Sequence, residues 1–138
     1  MATDRTVTMA TIPDAYRDLF KKPTIARAST RRPDGMPHVT PIWIDFDDAK
    51  DRILINTGRK RQKHVNVEHD PQVGVSMTDP DDDYRTFSGS GVVDEITDEG
   101  AAEHMNELTQ RYWGKEQYPG DREIRIIMEL RPEWVYTR

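Results

Sequence analysis

The chain has 138 residues, which suits one domain over residues 1–138, and a domain of this length buries roughly two-thirds of its unfolded surface. Only 35% of the residues are hydrophobic and the mean hydropathy is -0.86, so the core is lean, which is typical of a strand-rich subunit completed by a second copy. The net charge of -5 argues against a general nucleic-acid binder and against an anionic membrane surface as the main partner. The absence of cysteine excludes disulfides, thiolate metal sites and cysteine nucleophiles.

The chain begins with a charged stretch that has no apolar run behind it, and residues 1–11 are predicted to be a flexible N-terminal segment. The hydroxyl of Thr11, the early Pro13 and the carboxylate of Asp14 form a helix start. Apolar residues at helical spacing then continue to about Phe20. A short helix is therefore predicted to end near Phe20.

Strands are predicted wherever apolar and polar residues alternate between turn residues. They cover residues 24–30, 36–46, 52–57, 72–78, 84–96 and 123–130, with a further extended piece over residues 134–137. Residues 32–35 are a turn signal, because the proline presets φ and the glycine adopts positive φ. Residues 79–83 are too charged for a strand and are predicted to form a loop, and residues 131–133 a turn.

Two further helices follow from local signals. Residues 62–69 form a short helix that ends before Pro71, because the residue before a proline disfavours the helical conformation. A second helix is capped by Thr97 or Asp98, carries apolar residues on one stripe and ends at Gly114. The fold class is mainly β: six or seven strands with about three short peripheral helices favour a closed antiparallel barrel, because closure leaves no exposed sheet edge.

The most informative segment is residues 56–66, where a strand passes into a short helix. Four cations lie within five positions of an otherwise acidic chain, and Arg59, Arg61 and Lys63 alternate, so an extended backbone would direct them to one side. The N–H groups of the helix start and the hydroxyl of Thr57 would complete an anion site. The pattern predicts a phosphate site, and the alternative is a solvated basic turn.

A second feature is the proline within residues 38–43. Proline cannot donate a hydrogen bond to a sheet, so Pro41 indicates an edge, a bulge or a gap. A planar heteroaromatic ring would lie against such a strand and bond the free backbone groups near Thr40 and Ile42. The alternative is an ordinary edge strand in which Trp43 is a core residue.

Other chemistry-bearing residues give weaker signals. The acidic residues show no paired-carboxylate spacing, and His64 has the best claim of the histidines because it lies beside Lys63 and Asn66. The remaining histidines are predicted to be structural or exposed: His38, His69 and His104. Most aromatic side chains are predicted to be core or interface anchors, with one or two reaching a pocket: Tyr84, Phe87, Tyr112, Trp113, Tyr118 and Trp134.

No stretch approaches 18 consecutive apolar residues, and the N-terminal residues do not form a signal peptide. We therefore expect a cytoplasmic protein with no membrane partner. No nucleophile elbow, phosphate-binding loop or dinucleotide fingerprint is present in the sequence, so no catalytic side chain and no metal site are predicted.

Several segments in order resemble the pyridoxamine 5'-phosphate oxidase-like split-barrel superfamily, and in particular its branch of coenzyme F-420-dependent (deazaflavin) oxidoreductases. The resemblance covers residues 12–137 and is carried by residues 32–43, 55–57, 70–71, 75–80, 89–96, 111–112 and 124–132, together with Arg59, Arg61, Lys63 and Asn66. The resemblance implies an FMN-binding type of split barrel and a homodimer with two cofactor sites at the subunit interface.

The same resemblance assigns the cofactor-binding residues. It places the phosphate on the basic segment and the ring against the strand that contains Pro41. The residues predicted to bind the cofactor are Thr40, Pro41, Ile42, Trp43, Asn56, Thr57, Arg59, Arg61, Lys63 and Asn66.

The favoured hypothesis is an oxidoreductase that uses coenzyme F-420 to transfer hydride to a small organic substrate. The cofactor would supply the hydride chemistry, which agrees with the lack of a nucleophile or metal motif. The alternatives are an FMN-dependent oxidoreductase of the same fold and a non-catalytic flavin- or deazaflavin-binding protein. A barrel that binds single-stranded RNA through residues 59–63 is a further alternative, which the acidic charge opposes.

Overall fold

The computed structural model describes residues 10–119 and 123–138. Within them, a 3₁₀ helix, two α-helices and seven strands follow one another. Their bounds are: 3₁₀ helix Asp14–Phe20, β1 Ala26–Arg31, β2 Pro37–Ile42, β3 Asp45–Asp47, β4 Arg52–Gly58, α1 Gln62–His69, β5 Gln72–Asp79, β6 Asp82–Thr97, α2 Ala101–Trp113 and β7 Arg125–Thr137.

The strands form one antiparallel sheet in the order β2-β1-β5-β6-β7-β4-β3. This confirms a mainly β split barrel with three helices. Over the described residues, however, no ladder joins the edge strands β2 and β3, so the expected closure is wrong. The two edges are consecutive in the chain, and their junction at Trp43 and Ile44 opens the barrel on the side where α2 packs.

The core lies inside the curved sheet. Apolar residues alternate along β4, β5 and β7, and three phenylalanines, Phe20, Phe46 and Phe87, meet at its centre. The ring centroid of Phe20 lies 5.5 Å from that of Phe46 and 5.1 Å from that of Phe87. Each such burial contributes about 1.5–3 kcal/mol. The 3₁₀ helix is therefore fixed to the sheet by its last residue.

The strand predicted over residues 36–46 is interrupted. β2 ends at Ile42 and β3 begins at Asp45, because the backbone N–H of Ile44 donates to the Tyr112 hydroxyl at 3.0 Å instead of to a neighbouring strand. The same hydroxyl donates to the carbonyl oxygen of Thr24 at 2.7 Å. A side chain of α2 thus occupies the gap between the two edges.

The charged loop predicted over residues 79–83 is instead a tight hairpin turn between β5 and β6. Asp79 pairs with Asp82, and the Asp79 carboxylate accepts a hydrogen bond from the N–H of Asp81 at 2.9 Å. Lys22 and Arg85 also pair with Asp79, at 2.6 and 2.7 Å. These cations compensate the charge of the Asp79 carboxylate, which lies where the strand pairing ends.

The predicted turn at residues 131–133 is also wrong, because β7 runs unbroken through it. Pro132 is tolerated at a register shift, where Gly91 pairs with Pro132 and Ser90 with Trp134. A Cβ atom on Gly91 would lie 1.9 Å from the carbonyl oxygen of Arg131. Gly91 is therefore required by the close approach of the two backbones.

We expect Gly91→Ala to lower the free energy of unfolding by about 2–3 kcal/mol, because the β6 and β7 backbones must separate to admit the methyl group. Gly74→Ala is the matched control within one subunit, since its Cβ would find no atom of the same chain nearer than 3.9 Å, and both variants are compared at a protein concentration at which the subunits are separate. Urea unfolding of both variants measures the difference. Equal effects of the two substitutions would contradict this explanation of the bulge.

The α-helices lie close to their predicted positions, but the first predicted helix is a 3₁₀ helix with Pro13 as its N-cap, and no side chain such as that of Thr11 caps it. The helix predicted over residues 62–69 is confirmed as α1, and Gly114 ends α2 in the left-handed conformation at φ 70°. The predicted cap of α2 is wrong: its N-cap is Gly100 at φ 72°, and Asp98 pairs with Arg59 instead. Thr97 accepts a hydrogen bond from the N–H of Glu99 at 3.1 Å, one turn too early to cap α2.

One prediction concerns residues that the structure describes only in part. The flexible segment predicted over residues 1–11 falls mainly outside the described residues. Among the described helices, none is long and apolar enough to cross a membrane.

Candidate functional site

A cleft of about 410 Å³ lies at the open side of the barrel, between the end of β2, β4 and α2. It has a cationic side and an aromatic side. The structure brings seven of the ten predicted cofactor-binding residues to its wall: Pro41, Ile42, Trp43, Asn56, Thr57, Arg61 and Lys63. The other lining residues are Ile25, Met105, Leu108, Trp113, Tyr118 and Arg125.

The cationic side is formed by the start of α1 and the start of β7. The Lys63 ammonium group donates to the Thr40 hydroxyl at 3.2 Å, which places Thr40 beside the cleft. Arg61 binds both carboxylate oxygens of Glu123 through its Nε, each at 3.0 Å. Arg125 enters from the neighbouring strand and donates to Asn56 Oδ1 at 2.9 Å.

Lys63 is a cation of the cleft for which the described residues provide no carboxylate partner. Over the described residues it makes no ion pair, although it is half-buried. Burial lowers the pKa of the Lys63 ammonium group, and the positive charges of Arg61 and Arg125 lower it further. The cleft thus holds a desolvated cation among like charges, and an anion bound there would relieve both costs.

The basic segment is not extended as predicted. Lys60 adopts a left-handed φ of 70°, and α1 begins directly after Arg61. The turn directs Arg59 away from the cleft, where it donates to Asp98 at 2.8 Å. Arg61 and Lys63 therefore lie together at the cleft, and Arg59 lies apart from them on a separate surface.

Asn66 also lies apart from the cleft. It is fully buried, donates to the Thr30 hydroxyl at 2.9 Å and accepts from Gln62 at 2.6 Å, so it attaches α1 to β1. His64 is buried on the same helix, and its Nδ1 atom accepts from the N–H of Lys60 at 2.9 Å. Both side chains shape the start of α1 instead of lining the cleft.

The aromatic side is built around Trp43. Its ring stacks on that of Tyr112 with centroids 4.9 Å apart and meets Trp113 edge to face at 4.7 Å. Tyr118 stacks in turn on Trp113 at 5.8 Å. Trp113 is 52% exposed, so this wall presents an open aromatic surface next to the cations.

The floor beneath the cations is a hydrogen-bonded series of polar side chains. The amide nitrogen of Asn56 contacts His104 Nδ1 at 3.1 Å and donates to the carbonyl oxygen of Ala101 at 2.9 Å. His104 Nε2 lies 2.9 Å from the buried Asp45 carboxylate. The cleft is thereby connected to a charged group inside the molecule.

Asp45 is surrounded by positive partners. Burial raises the pKa of its carboxyl group, but hydrogen bonds from His104 and from the Phe46 N–H, with the charges of Arg111 and Lys21, more than offset this and hold the pKa below its usual value. Arg111 and Lys21 each lie 3.1 Å from Asp45. Asp45 therefore remains ionised and joins α2 to the strand edge.

Among the lining residues that the sequence did not assign to the site, the polar and aromatic ones come from two distant segments. Arg125 follows the alternation of β7 and resembles a solvent-facing strand residue, so its pattern gave no sign of a site. Trp113 and Tyr118 belong to the aromatic set from which one or two were expected to reach a pocket. A signal for them was available, since three aromatic residues cluster at the end of α2 and just after it: Tyr112, Trp113 and Tyr118.

The remaining histidines do not form a metal site, and the described residues include no group of three or more His, Cys, Asp or Glu side chains that could hold a metal ion. The Nδ1 atom of His38 is buried without a hydrogen-bond partner in the described part of the chain. No feature around His38 points to catalysis.

Seven antiparallel strands with an open seam, and a cleft with cations beside aromatic rings, define a split-barrel protein. The family model of pyridoxamine 5'-phosphate oxidase matches residues 12–138, and the chain belongs to this family. At the family level it is related to flavin- and deazaflavin-linked oxidoreductases.

Solved structures agree with this placement. An F-420 reductase superposes with a TM-score of 0.80 at 31% sequence identity, over 91% of this chain and 98% of the other. A conserved hypothetical protein from Mycobacterium tuberculosis has a TM-score of 0.69 at 23% identity, over 99% and 89% of the two chains. HupZ from Group A Streptococcus has a TM-score of 0.67 at 19% identity, over 92% and 94%. The last two likenesses concern the fold alone. No curated protein matches the sequence significantly.

Proposed function

We propose that the protein is an oxidoreductase that binds coenzyme F-420 in the cleft and reduces or oxidises a small organic substrate beside the cofactor ring. The observation that carries the proposal is Lys63, a half-buried ammonium group next to Arg61 and Arg125 that has only the Thr40 hydroxyl as a hydrogen-bond partner in the described residues. A phosphate group is an anion that would compensate this charge.

The residues present fit a phosphate-bearing flavin or deazaflavin. Lys63 and Arg61 would hold the phosphate, and Thr57 would add a hydroxyl at the end of β4. The ring would lie against Pro41 and Trp43, where a proline leaves a backbone position without a donor. Such a cofactor supplies hydride transfer, and the protein would orient it and exclude water.

The likeness to an F-420 reductase at 31% identity favours the deazaflavin over FMN. An FMN-dependent oxidoreductase and a non-catalytic flavin- or deazaflavin-binding protein remain the alternatives, since both cofactors present a phosphate on a ribityl chain to the same cations. The substrate would enter over the open aromatic wall at Trp113 and Tyr118.

Fluorescence titration with F-420 and with FMN tests the proposal. We expect F-420 to bind at micromolar concentrations or below, and the loaded protein to oxidise reduced F-420 with an organic electron acceptor. Stronger binding of FMN would support the FMN alternative, and binding without turnover would support the non-catalytic one. Failure of both cofactors to bind at micromolar concentrations would contradict the assignment.

We further propose a homodimer that uses the outer face of the sheet. One row of paired residues crosses five strands of this face. The three residues in the middle of the row are small and the residues at its two ends are apolar: Val39, Ser29, Gly74, Ser90 and Trp134. Val39 is 59% and Trp134 is 54% exposed, and an exposed patch of this kind favours a protein partner. Pro41, which lines the cleft, belongs to the next row of the same face, so a second copy would reach the cleft.

Ser90→Arg tests this interface, because it adds a long charged side chain within the row. We expect sedimentation of the parent protein to give a dimer and that of the variant to give a monomer with weaker cofactor binding. Gln110→Arg, on the exposed side of α2, adds the same charge and is expected to leave the dimer intact. A parent protein that sediments as a monomer would contradict the proposal.

A cytoplasmic location stays a prediction of the sequence. Fractionation of the producing cells would test it directly, and recovery with the secreted proteins would contradict it.

A further inference from the structure

Beneath the cations, three polar side chains occupy an arrangement in which each hydrogen-bond direction is determined. The carbonyl oxygen of Ala101 can only accept, so the Asn56 side-chain atom 2.9 Å away is the amide nitrogen. Arg125 Nε can only donate, so the Asn56 atom 2.9 Å from it is the carbonyl oxygen Oδ1. The amide therefore has one orientation.

His104 completes this constraint. The Asn56 amide nitrogen also contacts His104 Nδ1 at 3.1 Å, so Nδ1 must be the acceptor. The ring proton then lies on Nε2, which donates to the ionised Asp45 carboxylate at 2.9 Å. Asp45 thus selects the tautomer of His104, and His104 uses the second proton of the Asn56 amide.

We propose that His104 is a positioning residue for the anion site: through Asn56 it directs the Arg125 guanidinium group into the cleft. The inference rests on the proposed function, since it assumes that Arg125 contacts the cofactor phosphate. A rotated Asn56 amide would place Oδ1 against the Ala101 carbonyl and the Nδ1 lone pair, and would turn its NH₂ group toward Arg125 Nε. Both contacts would be repulsive, so the guanidinium group would lose its present position.

His104→Gln keeps one of the two hydrogen bonds of the imidazole and removes the other. The glutamine amide can still donate toward Asp45 from the position of Nε2, but it has no acceptor at the position of Nδ1. We expect this variant to bind FMN, the probe, roughly fivefold more weakly than the parent. His69→Gln makes the same change at an exposed position at the end of α1 and should leave FMN affinity unchanged.

A double-mutant cycle with Arg125→Ala distinguishes positioning from general damage. If His104 acts through Arg125, then His104→Gln causes no further loss of FMN affinity in the Arg125→Ala background. Independent, additive losses would overturn the proposal, because a structural role would weaken binding whether or not Arg125 is present.

Nitrogen NMR of the protein without ligand provides a readout that does not depend on cofactor binding. We expect His104 to carry its proton on Nε2, and the Arg125 Nε–H to exchange slowly in the parent and quickly in His104→Gln. A proton on Nδ1, or equal exchange of Arg125 Nε–H in both proteins, would overturn the positioning role. Absence of binding of both FMN and F-420 by the parent, with this NMR result intact, would instead contradict the proposed function.

Discussion

Lys63→Ala is expected to weaken the binding of F-420 and of FMN by about 1–2 kcal/mol, or roughly 5–30-fold, and to leave the folded state nearly as stable. The loss in affinity follows from removal of a charge-assisted contact to phosphate. Stability should change little, because the half-buried ammonium group lies near Arg61 and Arg125, which disfavour its charge. Fluorescence titration and urea unfolding measure the two effects.

Arg59→Ala is the matched control for this prediction. Arg59 belongs to the same run of cations, but it pairs with Asp98 outside the cleft. We expect its removal to leave cofactor affinity unchanged apart from a small, salt-dependent contribution of long-range charge. Equal losses in the two variants would show that the basic segment acts only through its overall charge, and unchanged affinity in Lys63→Ala would remove Lys63 from the site.

Asp45→Ala is expected to destabilise the protein by roughly 3 kcal/mol near neutral pH. The substitution removes the acceptor that His104, Arg111 and Lys21 share at the open side of the barrel. Two of these donors, His104 and Arg111, are largely buried and would lose a charged partner. Urea unfolding measures the loss, and Asp83→Ala at the exposed β5–β6 hairpin is the control that should cost little.

The difference in stability between the parent and Asp45→Ala depends on pH with a definite sign. Asp45 has a pKa in the folded state below its usual value, so its stabilisation is fully present above the unfolded pKa of about 3.9. It is lost as the pH falls from there toward the folded pKa. The difference between parent and Asp45→Ala should therefore shrink as the pH falls below about 4. A difference that grows on acidification would contradict the ionised state of Asp45.

The strands and α1 could be predicted from local signals. The signals for them are the alternation at Val73 and Val75 and the proline that follows residue 70. Both reflect local backbone preferences that do not depend on distant residues. The predictions of strand ends and turns are wrong where a residue from a distant part of the chain determines the backbone structure. The break after Ile42 depends on the Tyr112 hydroxyl, and Pro132 is tolerated within β7 because Gly91 allows a bulge opposite.

The candidate site was predictable in part for the same reason. The sign and position of the basic segment point to an anion, and Arg61 and Lys63 do lie at the cleft. Alternation alone could not separate Arg59 from them, because the left-handed Lys60 turns the backbone between them. Arg125 was not predictable, since its place at the cleft depends on the pairing of β4 with β7.

The central claim is that the cleft binds a redox cofactor by its phosphate, and a comparison of FMN with riboflavin tests it most directly. The two ligands share the ring and the ribityl chain and differ only in the phosphate. We predict that FMN binds roughly tenfold or more tightly than riboflavin, that added salt reduces this advantage, and that F-420 shows the same advantage over its chromophore without the phosphate side chain. Equal affinities of FMN and riboflavin, independent of salt, would contradict the account.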